Sequence, residues 1–230
     1  MKSKKILDYG CGLGGNIKYI SRFGEYLGVD ILDSNIDYAT QRYGVGKFIK
    51  FDGRTLPFDS FSFDEVHCYD VLEHVNDLDI TLNDIDRVLK NDGKIVITVP
   101  ARISEEMLLK IKPDYFSEVA HVRIVDEAEL SFKLEAIGYK LVSQSKIRGV
   151  EALFLCILFM FNKKKRWVAF QTGSPLFSKL FIAMVWIFDQ RLFRTSLKYL
   201  FFIYPFTLPI GWLVSQFFPK SIFLVYQKKI

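Results

Sequence analysis

Cysteine is scarce in this chain, with three among 230 residues, and this scarcity excludes a small scaffold held together by disulfide bonds. A long hydrophobic run at the start is also missing, because the basic segment MKSKK leads into a short apolar stretch that already contains Asp8. No signal peptide is expected. Cys11, Cys68 and Cys156 are therefore predicted to be reduced thiols in the cytoplasm. The hydrophobic share of 50% indicates one sizeable domain with an added segment.

Charge and aromatic residues are distributed unevenly. The net charge of +5 combines residues 1–148, with 20 Lys and Arg against 24 Asp and Glu, and residues 149–230, with 11 against 2. The second part also holds all three tryptophans and 14 of the 22 phenylalanines. A basic segment rich in aromatic and aliphatic residues is typical of a membrane surface, whereas nucleic acid would need more polar residues around these charges. No nucleic-acid partner is expected.

The first thirty residues predict a strand, a glycine-rich turn, a helix and a second strand. The apolar run 5–9 leads into GCGLGG at 10–15, and apolar residues recur at helical spacing in 16–22. Glycines permit the tight turn and let a ligand approach the backbone N–H groups at the start of a helix. The second apolar run ends in Asp30, where a carboxylate can meet ribose hydroxyls. A nucleotide-type ligand is therefore expected here.

Strand and helix signals continue to alternate as far as residue 147. We expect further strands at 47–51, 63–69, 94–99, 139–147 and 221–228, and helices at 34–43, 80–90 and 126–137. This alternation predicts an α/β fold with a doubly wound, mostly parallel sheet and helices on both faces. Gly138 is expected to end the last helix.

Taken alone, the glycine pattern G-x-G-x-x-G also fits nicotinamide-dependent dehydrogenases, so the turn leaves the cofactor open. Four motifs over residues 4–148, however, resemble in order those of the class I S-adenosylmethionine-dependent methyltransferases, in particular the small-molecule and lipid-quinone group. They are ILDYGCGLG at 6–14, FDGRTLPFD at 51–59, VLEHV at 71–75 and VLKNDGK at 88–94, the last with Asp92 in a glycine position. The resemblance implies a seven-stranded Rossmann-like sheet that ends in an antiparallel pair, and S-adenosylmethionine as cofactor.

The resemblance assigns the amino-acid and ribose parts of the cofactor to the first two strands. Asp8 and the glycines of the turn would hold the amino-acid end, and Asp30 would accept hydrogen bonds from both ribose hydroxyls. The glycines concerned are Gly10, Gly12 and Gly14. Each acid also has a structural alternative: Asp8 could be a buried acid bonded to the turn, and Asp30 could cap the following helix.

The adenine part is assigned to three further places. Asp52, followed by Gly53, matches the residue that accepts from the adenine amino group, and it could instead start a turn. Ile31 and Leu32 are placed to sandwich the ring. Backbone carbonyls of Cys68 and Tyr69 would face the amino group of the cofactor.

A hydroxyl or carbon acceptor would also need a base, and the chain has only three histidines. His67 lies within a predicted strand and is expected to be structural. His74, after the fourth strand, and His121, in the loop after the fifth strand, are the candidate bases. Either could instead form only local hydrogen bonds. No metal is expected, and Cys11 is expected to pack rather than react.

Residues 149–219 are predicted to be a hydrophobic, basic helical insertion between the core, 1–148, and its last strand, 220–230. Two of its apolar runs, 152–162 and 180–188, are too short to span a bilayer, and Pro205 interrupts the third, 199–219. A membrane-embedded lid is favoured over a two-span hairpin and over a buried lid.

These features predict a methyltransferase at the cytoplasmic side of a membrane, with a small or lipid-linked acceptor and contact between 149–219 and anionic lipid. Three alternatives stay open at this point: a soluble metabolite or sugar as acceptor with the insertion only as anchor, a nicotinamide-dependent oxidoreductase, and a non-catalytic, membrane-recruited module that binds the cofactor.

Overall fold

The computed structural model describes residues 3–147, 216–217 and 219–229. These residues form seven strands, β1 Lys5–Tyr9, β2 Glu25–Asp30, β3 Phe48–Lys50, β4 Phe63–Tyr69, β5 Leu89–Pro100, β6 Tyr139–Ile147 and β7 Ser221–Lys228. They also form six helices, α1 Ile17–Ile20, α2 Asp33–Tyr43, α3 Leu78–Val88, α4 Arg102–Ile111, α5 Tyr115–Val119 and α6 Glu127–Ala136.

The strands form one sheet in the order β3-β2-β1-β4-β5-β7-β6. The pairs β1–β2, β1–β4, β2–β3 and β4–β5 are parallel. β7 runs antiparallel to β6, because the Lys229 N–H donates to the Gly138 carbonyl at 2.8 Å and the Lys220 N–H to the Ile147 carbonyl at 3.1 Å. The predicted doubly wound, mostly parallel sheet with an antiparallel end is confirmed.

The central strands are buried, which explains their nearly continuous apolar sequences. Ile6 and Leu7 of β1, Val66 of β4, and Ile95 and Ile97 of β5 have no exposed surface. Strands covered by helices on both faces lose the alternation of polar and apolar residues that marks a half-exposed strand.

Capping chemistry fixes two of the helix starts. The Asp77 carboxylate accepts from the Ile80 N–H at 3.0 Å at the start of α3. Asp126 accepts from the N–H groups of Ala128 and Glu129 at the start of α6. Both acids satisfy donors that a helix start leaves without an intrahelical partner. α6 is followed by Gly138 with a φ of 93°, so the predicted glycine end is confirmed.

The region after β5 differs from the prediction. α4 and α5 precede His121, where only a loop was predicted. Apolar side chains of α4 recur at helical spacing, at Ile103, Met107 and Ile111, and Pro113 separates the two helices. β5 is also longer than predicted, because residues 89–93 and Pro100 belong to the strand as well.

The described residues group into two compact units. Residues 3–99, 125–144 and 223–229 form the first, which contains most of the sheet with α1, α2, α3 and α6. Residues 100–124, 145–147 and the described part of 216–222 belong to the second, in which α4 and α5 pack through Leu108 and Tyr115. Within it, the Ala101 N–H donates to the Lys220 carbonyl at 2.8 Å.

No helix among the described residues is long and apolar enough to cross a bilayer. The predicted insertion, 149–219, lies almost entirely outside these residues, and so does Cys156. Its lid, hairpin and buried forms therefore stay predictions.

Candidate active site

Three glycines with left-handed backbone conformation form the turn after β1. Gly10, Gly12 and Gly14 have φ values of 70°, 51° and 76°, which residues with side chains rarely adopt. A Cβ on Gly10 would lie 2.6 Å from a methyl carbon of Val71, so the glycine also lets that side chain approach. At Gly12 no atom lies within 4 Å of the position that a Cβ would take. The turn therefore leaves open space beside its backbone.

Asp30 links the end of β2 to this turn. Its Oδ2 accepts from the Gly12 N–H at 2.8 Å, and its Oδ1 accepts from the Leu32 N–H at 2.9 Å and from Asn35 Nδ2 at 3.0 Å. A carboxylate has about four acceptor positions, so about one stays available to a ligand in this arrangement. The carboxylate thus fixes the turn and bonds to two residues at the start of α2, but it is not the cap of that helix, whose N-cap is Leu32. Its bonds to ribose stay a prediction.

Asp8 lies inside the protein, with no exposed surface. The Tyr26 hydroxyl donates to its Oδ2 at 2.8 Å, and Asn16 Nδ2 donates to its Oδ1 at 3.4 Å. Burial raises the pKa of Asp8 to about 7, because the low-polarity surroundings disfavour the charged form more than these two bonds favour it. Asp8 therefore contacts the residue at the start of α1, and its direct contact with a cofactor stays a prediction.

Asp52 starts a tight turn after β3. Its Oδ1 accepts from the N–H groups of both Arg54 and Thr55 at 2.8 Å, and these bonds hold the pKa of the Asp52 carboxyl below its usual range. Gly53 follows with a φ of 80°, and a Cβ there would lie 3.2 Å from Ile31. The structure therefore brings Ile31 and the Asp52 loop together, as the adenine assignment requires.

Two apolar side chains near this loop face solvent. Ile31 is 55% and Leu32 is 53% exposed. Exposed aliphatic side chains next to an ionised acid are suited to a flat ring that carries an amino group. Their contact with adenine stays a prediction.

The end of β4 is held by hydrogen bonds to β5. Cys68 is fully buried, and Asp70 next to Tyr69 adopts a left-handed φ of 55°. The Asp70 N–H donates to the Thr98 carbonyl and the Thr98 hydroxyl donates to the Asp70 carboxylate, both at 2.9 Å. A side chain in this conformation costs on the order of 1–3 kcal/mol and is typical of functional sites. The roles of the Cys68 and Tyr69 carbonyls stay predictions.

The thiols of the described residues are unreactive. Cys11 and Cys68 are free and buried, and burial raises the pKa of both thiols. Cys11 packs against Ile17 and Ile20 in the core. The prediction that Cys11 packs rather than reacts is therefore supported.

His67 is structural, as predicted. Its ring bonds to the Tyr69 hydroxyl at 2.8 Å and to the Glu65 carboxylate at 3.1 Å. The bonds that Glu65 accepts from His67 and Lys4 lower its pKa to about 2. Both ring nitrogens are thus engaged inside the sheet.

The two candidate bases differ in their surroundings. His74, in the first unit, has an exposed side chain, and its N–H donates to the Val71 carbonyl at 2.9 Å. His121, in the second unit, bonds through Nδ1 to Glu105 Oε2 at 2.8 Å, and the exposed fractions of the two side chains are 8% and 3%. A buried carboxylate on one ring nitrogen fixes the orientation of an imidazole, as a general base requires. No local pattern in the sequence marks Glu105 as a site residue.

A cavity of about 580 Å³ lies at the amino ends of three strands. Lys5, Glu25 and Phe63, which begin β1, β2 and β4, belong to its lining. Ligands of open parallel sheets bind at the carboxyl ends of the strands. This cavity is therefore not the cofactor site.

The sequence of residues 7–97 matches the family described as "Methyltransferase domain". Together with the sheet order and the glycine turn, this match decides between the two cofactors that the turn left open. Residues 7–97 form a methyltransferase domain, and its resemblance to the class I family makes S-adenosylmethionine the cofactor.

Two of three relatives similar to this chain are named as methyltransferases. The chain is 28% identical over 103 residues to a fatty-acid O-methyltransferase of Mycolicibacterium smegmatis, covering 43% of this chain and 38% of the relative. It is 30% identical over 141 residues to a sarcosine/dimethylglycine N-methyltransferase of Aphanothece halophytica, covering 54% and 50%. An uncharacterised protein of Methanocaldococcus jannaschii is 31% identical over 150 residues, covering 65% and 60%. The chain thus spans at most about three fifths of these relatives.

A solved structure shows the same fold. A S-adenosylmethionine-dependent methyltransferase from Archaeoglobus fulgidus superposes with a TM-score of 0.60 at 19% identity, covering 98% of this chain and 86% of the other. This similarity concerns the fold, since one fold hosts many reactions.

The residues of the first unit fit the cofactor of this family, S-adenosylmethionine. Gly12 offers open space beside its backbone, Asp30 retains acceptor capacity for ribose, and Gly53, next to Asp52, lies against the exposed Ile31. Acceptors and backbone groups suit a molecule with a ribose diol, an amino group and a positive charge. Asn16, Tyr26 and Asn35 were not predicted as site residues, and only Asn16, directly after the glycines, carried a local signal.

Proposed function

We propose that this protein transfers a methyl group from S-adenosylmethionine to a lipid or lipid-linked acceptor at a membrane surface. The observation that carries the methyl-transfer part is the glycine turn tied to Asp30 with open space at Gly12, in a chain that contains a methyltransferase domain. S-adenosylmethionine supplies a methyl group that is already activated on sulfur. The chain must therefore bind the cofactor and the acceptor, orient them towards each other and exclude water from between them.

An acceptor that loses a proton also needs a base. His121 is the better supported candidate, because the Glu105 carboxylate fixes its ring at 2.8 Å. His74 is the second candidate, with an exposed side chain next to the buried Glu73. An acceptor that is already nucleophilic, such as an amine, would need neither.

The lipid part of the proposal is supported by the composition of residues 149–230. This part has 11 Lys and Arg against 2 Asp and Glu and contains all three tryptophans. Each cation near an anionic leaflet contributes about 1 kcal/mol, and apolar burial adds about 25 cal/mol per Å². One relative is named as a fatty-acid O-methyltransferase. A lid of residues 149–219 over the acceptor would then let the lipid enter from the bilayer.

Flotation with vesicles of anionic and of neutral lipid tests the membrane part. We expect the full chain to float with anionic vesicles. Serine at the four positions of the cluster KKKR, residues 163–166, should weaken binding by about 4 kcal/mol, roughly a thousandfold. A control variant with serine at four exposed lysines of the core has the same net charge and should float normally. These are Lys18, Lys47, Lys110 and Lys140.

If the wild-type chain stays in the soluble fraction, or if both variants lose binding equally, the membrane part is wrong. Binding of the wild-type chain to anionic vesicles should also fall at high salt, because salt screens exposed charges.

Transfer of a labelled methyl group to fractionated cell extracts tests the acceptor. We expect label in the lipid fraction. Label only in water-soluble acceptors would favour the alternative in which the insertion is an anchor, and the relative named as a sarcosine/dimethylglycine N-methyltransferase keeps that alternative open. Cofactor binding without transfer to any fraction would favour the non-catalytic module.

A further inference from the structure

The loop between β3 and β4 is held from outside by two side chains of α3. Asp84 Oδ2 accepts from the Leu56 N–H at 2.6 Å. Arg87 donates from Nη2 to the Leu56 carbonyl at 2.9 Å and from Nη1 to the Phe58 carbonyl at 2.6 Å. These two side chains therefore satisfy both backbone groups of Leu56, which a neighbouring strand would otherwise do.

The two side chains also fix each other. Arg87 Nε donates to Asp84 Oδ1 at 2.8 Å, and the side chains are 33% and 14% exposed. A guanidinium is planar, and its N–H groups point in fixed directions, so three of them set the positions of three acceptors together. Lysine has no such geometry. Leu56 is 1% exposed, which anchors the loop in the core as well.

The start of the loop is tied to the end of β2. The Phe51 N–H donates to the Asp30 carbonyl at 3.1 Å, and Gly53 lies against Ile31. Asp52 uses its Oδ1 for the turn, and no described residue donates to its Oδ2. The loop thus holds the Asp52 carboxylate between two fixed points, β2 on one side and α3 on the other.

We infer that Asp84 and Arg87 are positioning residues for recognition of the adenine ring, because they fix the loop that presents the Asp52 carboxylate to its exocyclic amine. The inference rests on the proposed cofactor. It makes α3 a determinant of cofactor specificity, although neither residue has to touch the cofactor.

The test compares two ligands that differ in one group. S-adenosylhomocysteine carries the exocyclic amine, and its purine analogue has hydrogen in that place. Calorimetry of the full chain should give roughly tenfold or more weaker binding of the purine analogue, the effect of one hydrogen bond to a charged group. In Arg87→Lys the ratio of the two dissociation constants, purine analogue over S-adenosylhomocysteine, should fall towards one. Most of this change should come from weaker binding of S-adenosylhomocysteine. The same change at the exposed Arg42, Arg42→Lys, is the control and should keep the ratio.

A purely structural role of Arg87 would weaken both ligands by the same factor and leave the ratio unchanged, which would overturn the inference. If Arg87→Lys does not fold, Asp84→Asn provides the second variant. An asparagine has one acceptor oxygen for two donors, the Leu56 N–H and Arg87 Nε, so it loses one of these bonds, while the bonds from Arg87 to the two carbonyls have their acceptors unchanged. A wild-type chain that binds both ligands equally would also overturn it. A wild-type chain that binds neither would instead refute the proposed function.

Discussion

The substitution Asp30→Asn tests the acid that connects the glycine turn to β2. Asp30 accepts hydrogen bonds from Gly12 on Oδ2 and from Leu32 and Asn35 on Oδ1. An asparagine has one acceptor oxygen, so its amide nitrogen must face at least one of these donors. Asp30 is only 7% exposed, so water does not readily replace a lost acceptor. A buried donor left without an acceptor costs about 1–3 kcal/mol.

Two measurements separate the effects of this change. The melting temperature of the free protein should fall by several degrees, because about 1 kcal/mol corresponds to about 2–4 °C in a domain of this size. Calorimetry should show binding of S-adenosylhomocysteine weakened roughly tenfold or more, since each lost bond to a charged acceptor is worth about 1.5–3 kcal/mol.

The control is Asp33→Asn, the same change of charge three residues later. Asp33 is 70% exposed and pairs with Lys50 at the surface, where such pairs contribute about 0–1 kcal/mol. It should alter neither quantity strongly. If Asp30→Asn lowers the melting temperature and binds the ligand like the wild type, the carboxylate serves only the turn, and the assignment to ribose is refuted.

Two further predictions concern Asp8 and His121. The pKa of Asp8 is raised to about 7 from 3.8, so between about pH 4 and 7 the folded state holds a proton that the unfolded state has released. The contribution of this protonated carboxyl to the free energy of unfolding is complete below pH 4 and is lost as the pH rises through 7. Asp8→Asn removes this loss, which is on the order of 4 kcal/mol. In urea unfolding, the free energy of unfolding of the variant should therefore rise relative to that of the wild type from pH 4.5 to pH 8. Parallel plots of this free energy against pH would contradict the burial argument. His121→Gln should lower kcat about a hundredfold or more for a hydroxyl acceptor and leave the affinity for S-adenosylhomocysteine unchanged; a normal kcat in the initial-rate assay would rule out His121 as the base.

The amino-acid sequence by itself determined the elements whose signals are local. The strand at 5–9, the glycine turn and the strand ending at Asp30 follow from neighbouring residues, because apolar runs, glycines and turn acids act over a few positions. The parallel direction of the central strands followed from the alternation of these elements. The start of α6 at Asp126 is local for the same reason.

Tertiary structure alone decided how the acids of the site are used. Asp8 meets Tyr26 across 18 residues, and Leu56 meets Asp84 across 28 residues. Pairs this distant in sequence are set by the packing of strands and helices, and no periodicity in the chain marks them. Burial likewise depends on the whole fold. The raised pKa of Asp8 and the partner of His121 therefore follow only from the tertiary structure, because desolvation and hydrogen bonding act through space and not along the chain.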